Sequence, residues 1–133
     1  MKQVLIVDDN ILDNKAVRLA LSGRYFTSSV TSGSDVFVYL SDHRPDMILL
    51  DQFMPGMSGF DVIRKLKSDA SLADIPVMFL TADDTGMVES RCFKLGAVDC
   101  IRKPANRDML LKRLNSRLEE AESRLTARQA ECS

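Results

Sequence analysis

The sequence contains no tryptophan, so tryptophan fluorescence cannot report on its conformation, and its three cysteines, Cys92, Cys100 and Cys132, form no CxxC pair. An odd cysteine count without close spacing argues against a disulfide framework and a zinc site, and a reducing cytoplasm is the expected setting. A basic excess is missing too. Lysine and arginine total 18 against 19 aspartate and glutamate, a formal net charge of −1. Direct nucleic-acid binding is thereby disfavoured, because cations must neutralise the phosphate backbone. No stretch approaches the roughly 18 consecutive apolar residues of a membrane span. The N-terminal run meets acid at Asp8, too early for a signal peptide. What the chain does have is 133 residues, 45% of them hydrophobic, enough for one domain with a packed core and at most a short appendage.

The apolar residues follow a repeating order. Residues 4–7 are a continuous apolar run ending in Asp8, Asp9 and Asn10, and residues 11–21 show apolar side chains at helical spacing before Gly23. The same succession recurs at 25–31 with 35–40, 47–50 with 60–66, 77–80 with 86–95, and 98–101 with 107 onward. Strands that are apolar without alternation are covered on both faces, and strands alternating with helices pair in parallel through right-handed crossovers. The expectation is a doubly wound α/β sandwich with five strands.

In such sheets ligands bind beyond the carboxyl ends of the strands. Those ends carry Asp8 and Asp9, Asp51, Thr81 and Lys103. An aspartate before a helix is ordinarily an N-cap and a lysine after a strand is ordinarily solvated, but three acids brought together need an explanation. Two like charges about 4 Å apart repel by roughly 4 kcal/mol at an effective dielectric near 20. Either a carboxylate pKa rises or cations compensate: Lys103 and a small divalent ion, for which Mg²⁺ suits carboxylate, carbonyl and water oxygens. An aspartate beside Mg²⁺, a hydroxyl and an ammonium is equipped for phosphoryl transfer, with Asp51 as the candidate nucleophile. The segment Asp51-Gln-Phe-Met-Pro-Gly-Met-Ser-Gly59 fits, since Pro55, Gly56 and Gly59 shape a tight loop with free backbone amides.

These stretches, with Ile75-Pro-Val-Met-Phe-Leu-Thr-Ala82 and Gly96-Ala-Val-Asp-Cys-Ile-Arg-Lys-Pro104, resemble the receiver domain of two-component response regulators over residues 3 to about 118. The resemblance implies a flavodoxin-like (βα)5 fold with strand order 2-1-3-4-5 and phosphorylation of Asp51 by a sensor histidine kinase or a phosphotransfer protein. It implies Asp9, Asp51 and the carbonyl of Phe53 as direct Mg²⁺ ligands, and Asp8 as a ligand through water. It also implies Thr81 and Lys103 as the phosphoryl-binding pair and a cis peptide between Lys103 and Pro104, a linkage at which cis is accessible. Such a module is a switch and not a turnover enzyme. One position departs: three residues before the lysine the family usually carries tyrosine or phenylalanine, where this chain has Cys100. A thiol cannot swing as a ring does, which leaves a modified switch, an altered core position or redox sensing by Cys100. Phe53 could shield an acyl phosphate and Asp83 could tune its lifetime; His43 receives no role.

From Arg107 the chain has neither proline nor glycine, and Leu111, Leu114, Leu118, Ala121 and Leu125 follow steps of three and four. The spacing predicts an extended helix with a coiled-coil seam, which suggests a receiver over 1–118, a helical extension over 119–133, and a homodimer through that helix. The pairing of receiver and helix, with the motifs at residues 8–14, 54–57 and 113–118, resembles the front of regulators fused to cyclic-di-GMP output domains, with histidine kinase or phosphatase outputs as alternatives, and no output domain lies in these residues. Three competing readings have specific weaknesses. A flavodoxin-type FMN carrier needs a Ser/Thr/Gly-rich phosphate loop after the first strand. A phosphatase of the haloacid-dehalogenase type needs Asp-x-Asp there, but Asn10 follows Asp8 by two. A dimerisation module with a degenerate receiver sits poorly with the complete set of acids, Thr81 and Lys103.

Overall fold

The computed structural model describes the backbone of residues 1–132 and the side chains of residues 1–127; Cys132 and the last turn of the expected extension lie outside the described side chains. Five strands alternate with five helices: β1 (Gln3–Val7), α1 (Ile11–Leu21), β2 (Phe26–Val30), α2 (Gly33–Leu40), β3 (Met47–Asp51), α3 (Gly59–Lys67), β4 (Val77–Thr81), α4 (Met87–Lys94), β5 (Asp99–Arg102) and α5 (Arg107–Cys132). The strands form one parallel sheet in the order β2-β1-β3-β4-β5, as expected from the sequence.

Why the central strands are apolar throughout is visible in how they share their side chains. Leu5 and Val7, Ile48 and Leu50, Val77 and Phe79 point to one face, which α2, α3 and α4 cover. Val4 and Ile6, Met47 and Leu49, Met78 and Leu80 point to the other, under α1 and α5. A pleated strand sends successive side chains to opposite faces, so two covered faces demand an unbroken apolar run. Edge strand β2, Phe-Thr-Ser-Ser-Val, is largely exposed, and its polar residues suit an edge that solvent meets.

Helix boundaries follow caps more than apolar periodicity. α2 begins at Gly33, two residues before the expected start, because Ser32 Oγ accepts the Asp35 N–H (3.2 Å). α4 begins after Gly86, which adopts φ +84°, a left-handed conformation open to glycine at little cost. The Lys103–Pro104 peptide is cis, in agreement with the expectation.

α5 corrects one reading. Leu111, Leu114 and Leu118, expected to face a second copy, are 7%, 0% and 6% exposed and pack with Met78, Leu80 and Ile101. A stripe at steps of three and four serves a coiled coil or a helix on a sheet equally well. Here the open sheet face takes it, which leaves only Leu125 exposed from that seam, with Ala121 half-buried. Asp99 of β5, its side chain 2% exposed, anchors the helix through Arg113 Nε (2.7 Å) and Arg117 Nε (3.0 Å). At 26 residues α5 is about 39 Å long. Its overhang walls a cleft of about 350 Å³ with Lys2, Asp46 and Lys67, across which Lys2 and Glu122 lie 3.9 Å apart. Among the described residues no helix is long and apolar enough to cross a membrane.

Candidate functional site

The loop after β3 is built to hold Asp51 still. Ser58 Oγ accepts the Asp61 N–H (3.2 Å) and Asp61 accepts the Ser58 N–H (3.0 Å), a reciprocal capping box that starts α3. Gln52 ties the loop from the other side: its Oε1 accepts the Phe60 N–H (2.7 Å) and its carbonyl the Gly59 N–H (3.0 Å). Gly59 has no room for a side chain, since a Cβ would lie 2.5 Å from the Asp51 carbonyl and 2.8 Å from the Phe79 ring. Pinned in this way, Asp51 stands at the end of the central strand with only 7% exposure.

β1 pairs with β3 in parallel, so its acidic end arrives beside Asp51. One carboxylate oxygen each from Asp8, Asp9 and Asp51 lie within 4.8 Å of one another. Asp8 is even more buried than Asp51, and its Oδ1 accepts the Asn10 N–H (2.9 Å). Burial, foremost, and the neighbouring Asp8 charge push Asp51 up from 3.8 to about 6, against the pull of Lys103 and of the Phe53 N–H. The expectation of either a cation or a raised pKa thus takes a concrete form: without added cation, the cluster lacks enough positive charge to keep Asp51 an ordinary carboxylate. Three hard carboxylate oxygens with space between them are a donor set for Mg²⁺.

Lys103 follows β5 and reaches into the cluster. Its Nζ donates to Asp8 Oδ2 (2.7 Å) and Asp13 Oδ2 (3.0 Å), and stands 3.7 Å from Asp51 Oδ1. Burial works against the ammonium, yet its hydrogen bonds to Asp8 and Asp13 prevail and hold its pKa above the usual value. Thr81, 1% exposed, ends β4 one residue beyond Leu80, the partner of Asp51; its Oγ1 accepts the Asp83 N–H (3.1 Å) and its carbonyl the Lys103 N–H (2.7 Å). The structure therefore brings Asp8, Asp9, Asp51, Thr81 and Lys103 to one end of the sheet.

Residues flagged around this set behave differently. Phe53, two residues after Asp51, is 59% exposed. Asp83 turns to α4, where its carboxylate accepts the Val88 N–H (3.1 Å) and the Thr85 hydroxyl (2.8 Å). Cys100 is 6% exposed in the core beside Cys92 and Val88, and burial pushes its thiol up to about 12, which opposes redox sensing because the thiolate is the reactive form. His43 stacks on Tyr39 and pairs with Asp42 (2.7 Å) at the surface. The sequence reading missed Asp13. Its place three residues after the N-cap Asn10 marks an ordinary first-turn acid, and nothing local announces a partner 90 residues away.

Residues 4–115 match the response regulator receiver domain family. The chain belongs to that family. Membership sets aside the flavin-carrier and dehalogenase-type alternatives. The receiver is 38% identical over 103 residues to the rice two-component response regulator ORR3 (Oryza sativa subsp. indica), covering 76% of this chain and 79% of that protein. A Vibrio cholerae protein named "Probable cyclic di-GMP phosphodiesterase" is 34% identical over 121 residues, covering 91% of this chain and 27% of its relative; this chain spans about a quarter of that protein. The Vibrio cholerae chemotaxis protein CheY4 superposes with a TM-score of 0.80 at 27% identity, covering 87% of this receiver and 98% of CheY4.

Proposed function

We propose that this receiver accepts a phosphoryl group on Asp51 from a histidine kinase or phosphotransfer protein and passes the change to an output through its α4 and β5 side. The observation that carries this reading is the junction of Asp8, Asp9 and Asp51 with a buried threonine and a lysine in a chain of the receiver family. Asp51 attacks the phosphorus of a phosphohistidine; the new P–O bond forms as the P–N bond breaks, and the imidazole leaves with its electron pair and takes a proton. Mg²⁺, held by Asp9, Asp51 and the Phe53 carbonyl, with Asp8 through water, would neutralise charge on the transferring group. Asp51 is held by the capped loop, Lys103 supplies a positive charge, and the Thr81 hydroxyl, whose oxygen accepts the Asp83 N–H, would donate its own proton to a phosphoryl oxygen.

On this reading the receiver occupies 1–118, the tail 119–133 leads toward an output, and the protein works in the cytoplasm as a switch and not a turnover enzyme. Of the expected seam residues, Leu125 is the one left exposed for pairing through the tail. Incubation with acetyl phosphate and Mg²⁺, followed by intact mass, tests the central claim. One added phosphoryl group is expected, absent in Asp51→Asn and in EDTA; an Asp51→Asn protein that gains the same mass overturns it.

A further inference from the structure

The lysine of the site does not rest on the proposed phosphoacceptor. An ammonium has three N–H donors, and Lys103 spends two on Asp8 (2.7 Å) and Asp13 (3.0 Å), while Asp51 at 3.7 Å lies beyond hydrogen-bond reach. The two holders differ. The Asp8 side chain is 4% exposed and its second oxygen is engaged with the Asn10 N–H, whereas the Asp13 side chain is 45% exposed. Asp13 is nonetheless well placed, because its N–H donates to Asn10 Oδ1 (3.0 Å) and so fixes it in the first turn of α1.

Resting on the reading of Asp51 as phosphoacceptor, we propose that Asp13 is a positioning residue that competes with the phosphoryl group for Lys103. In the unphosphorylated receiver it draws the ammonium toward α1 and away from Asp51. When a phosphoryl group arrives, Lys103 exchanges one anionic partner for another, and Asp13 is the partner to yield. A half-exposed carboxylate regains water at little cost on losing its cation, while a buried one does not. Asp13 thereby ties the N-terminus of α1 to the occupancy of Asp51, and its charge sets how readily the phosphoryl-bound state forms.

The test uses beryllofluoride at saturating Mg²⁺, titrated by calorimetry into the full chain. Asp13→Asn should bind about fivefold more tightly than the parent, as for loss of one partly exposed ion pair, and Asp13→Glu should return to the parental affinity. A second measurement needs no phosphoryl mimic: in Mg²⁺-loaded protein the Lys103 ammonium protons, followed by ¹⁵N-resolved NMR, should exchange with water faster in Asp13→Asn. Unchanged or weaker beryllofluoride binding by Asp13→Asn, or unchanged ammonium exchange, overturns the proposal. A parent that fails to bind beryllofluoride, or an Asp51→Asn variant that binds it equally well, instead overturns the reading of Asp51 on which the proposal rests.

Discussion

Replacing Asp51 with asparagine should make the metal-free receiver more stable at neutral pH, although it removes the residue on which the proposed chemistry depends. Burial, then the Asp8 charge, raises Asp51 from 3.8 to about 6. At about 1.4 kcal/mol per pH unit, the ionised side chain therefore costs the folded state about 3 kcal/mol at pH 7.5. Asparagine keeps the shape of the protonated acid without its charge, so Asp51→Asn should gain about 3 kcal/mol in EDTA, roughly 10 °C in Tm for a chain of this size. The sign follows from proton binding. With the folded pKa above the unfolded one, the native parent holds the extra proton between about pH 4 and 6 and loses stability as pH rises through that window. The difference between variant and parent should thus be near zero at pH 4 and complete by about pH 7. Urea denaturation followed by far-ultraviolet circular dichroism at pH 4, 5.5 and 7.5 measures it. Mg²⁺ should narrow the gap at pH 7.5, adding about 2.7 kcal/mol to the parent at a hundred times its Kd and less to the variant. Equal stability at pH 7.5, or a gap that does not shrink toward pH 4, refutes the reasoning.

The assignment of the α5 stripe to the core predicts that Leu114→Ala costs about 3 kcal/mol while Leu125→Ala changes unfolding by less than about 0.5 kcal/mol, both read from urea midpoints. Gly59→Ala should destabilise by about 2 kcal/mol, since its methyl must displace the Asp51 carbonyl or the Phe79 ring; a variant of parental stability would mean that the β3–α3 loop is less tightly drawn. Burial raises both the Cys92 and Cys100 thiols, so neither should react with iodoacetamide at pH 8 under native conditions within the time that denatured protein is fully alkylated. Peptide mapping that finds Cys100 modified early would return redox chemistry to that position.

The parts of this receiver legible from sequence are those that local rules govern. Continuous apolar runs ending in polar turns located β1, β3 and β4, and the rule that ligands gather at strand ends selected Asp8, Asp9, Asp51, Thr81 and Lys103 before any distance was available. Family resemblance supplied the strand order and the cis Lys103–Pro104 bond. Local signals failed where two tertiary outcomes share one pattern. The spacing of Leu111, Leu114 and Leu118 states that these side chains share a face, but only the uncovered side of the sheet decided that they pack inward. Asp13 and Asp99 read as a first-turn acid and a strand residue; their roles arise from Lys103 at 3.0 Å and from Arg113 and Arg117, partners that the end of β5 and the helix α5 bring to them from other elements. Periodicity and capping act over one or two turns, whereas charge pairing and burial depend on distance in space, which only the assembled sheet and its helices set.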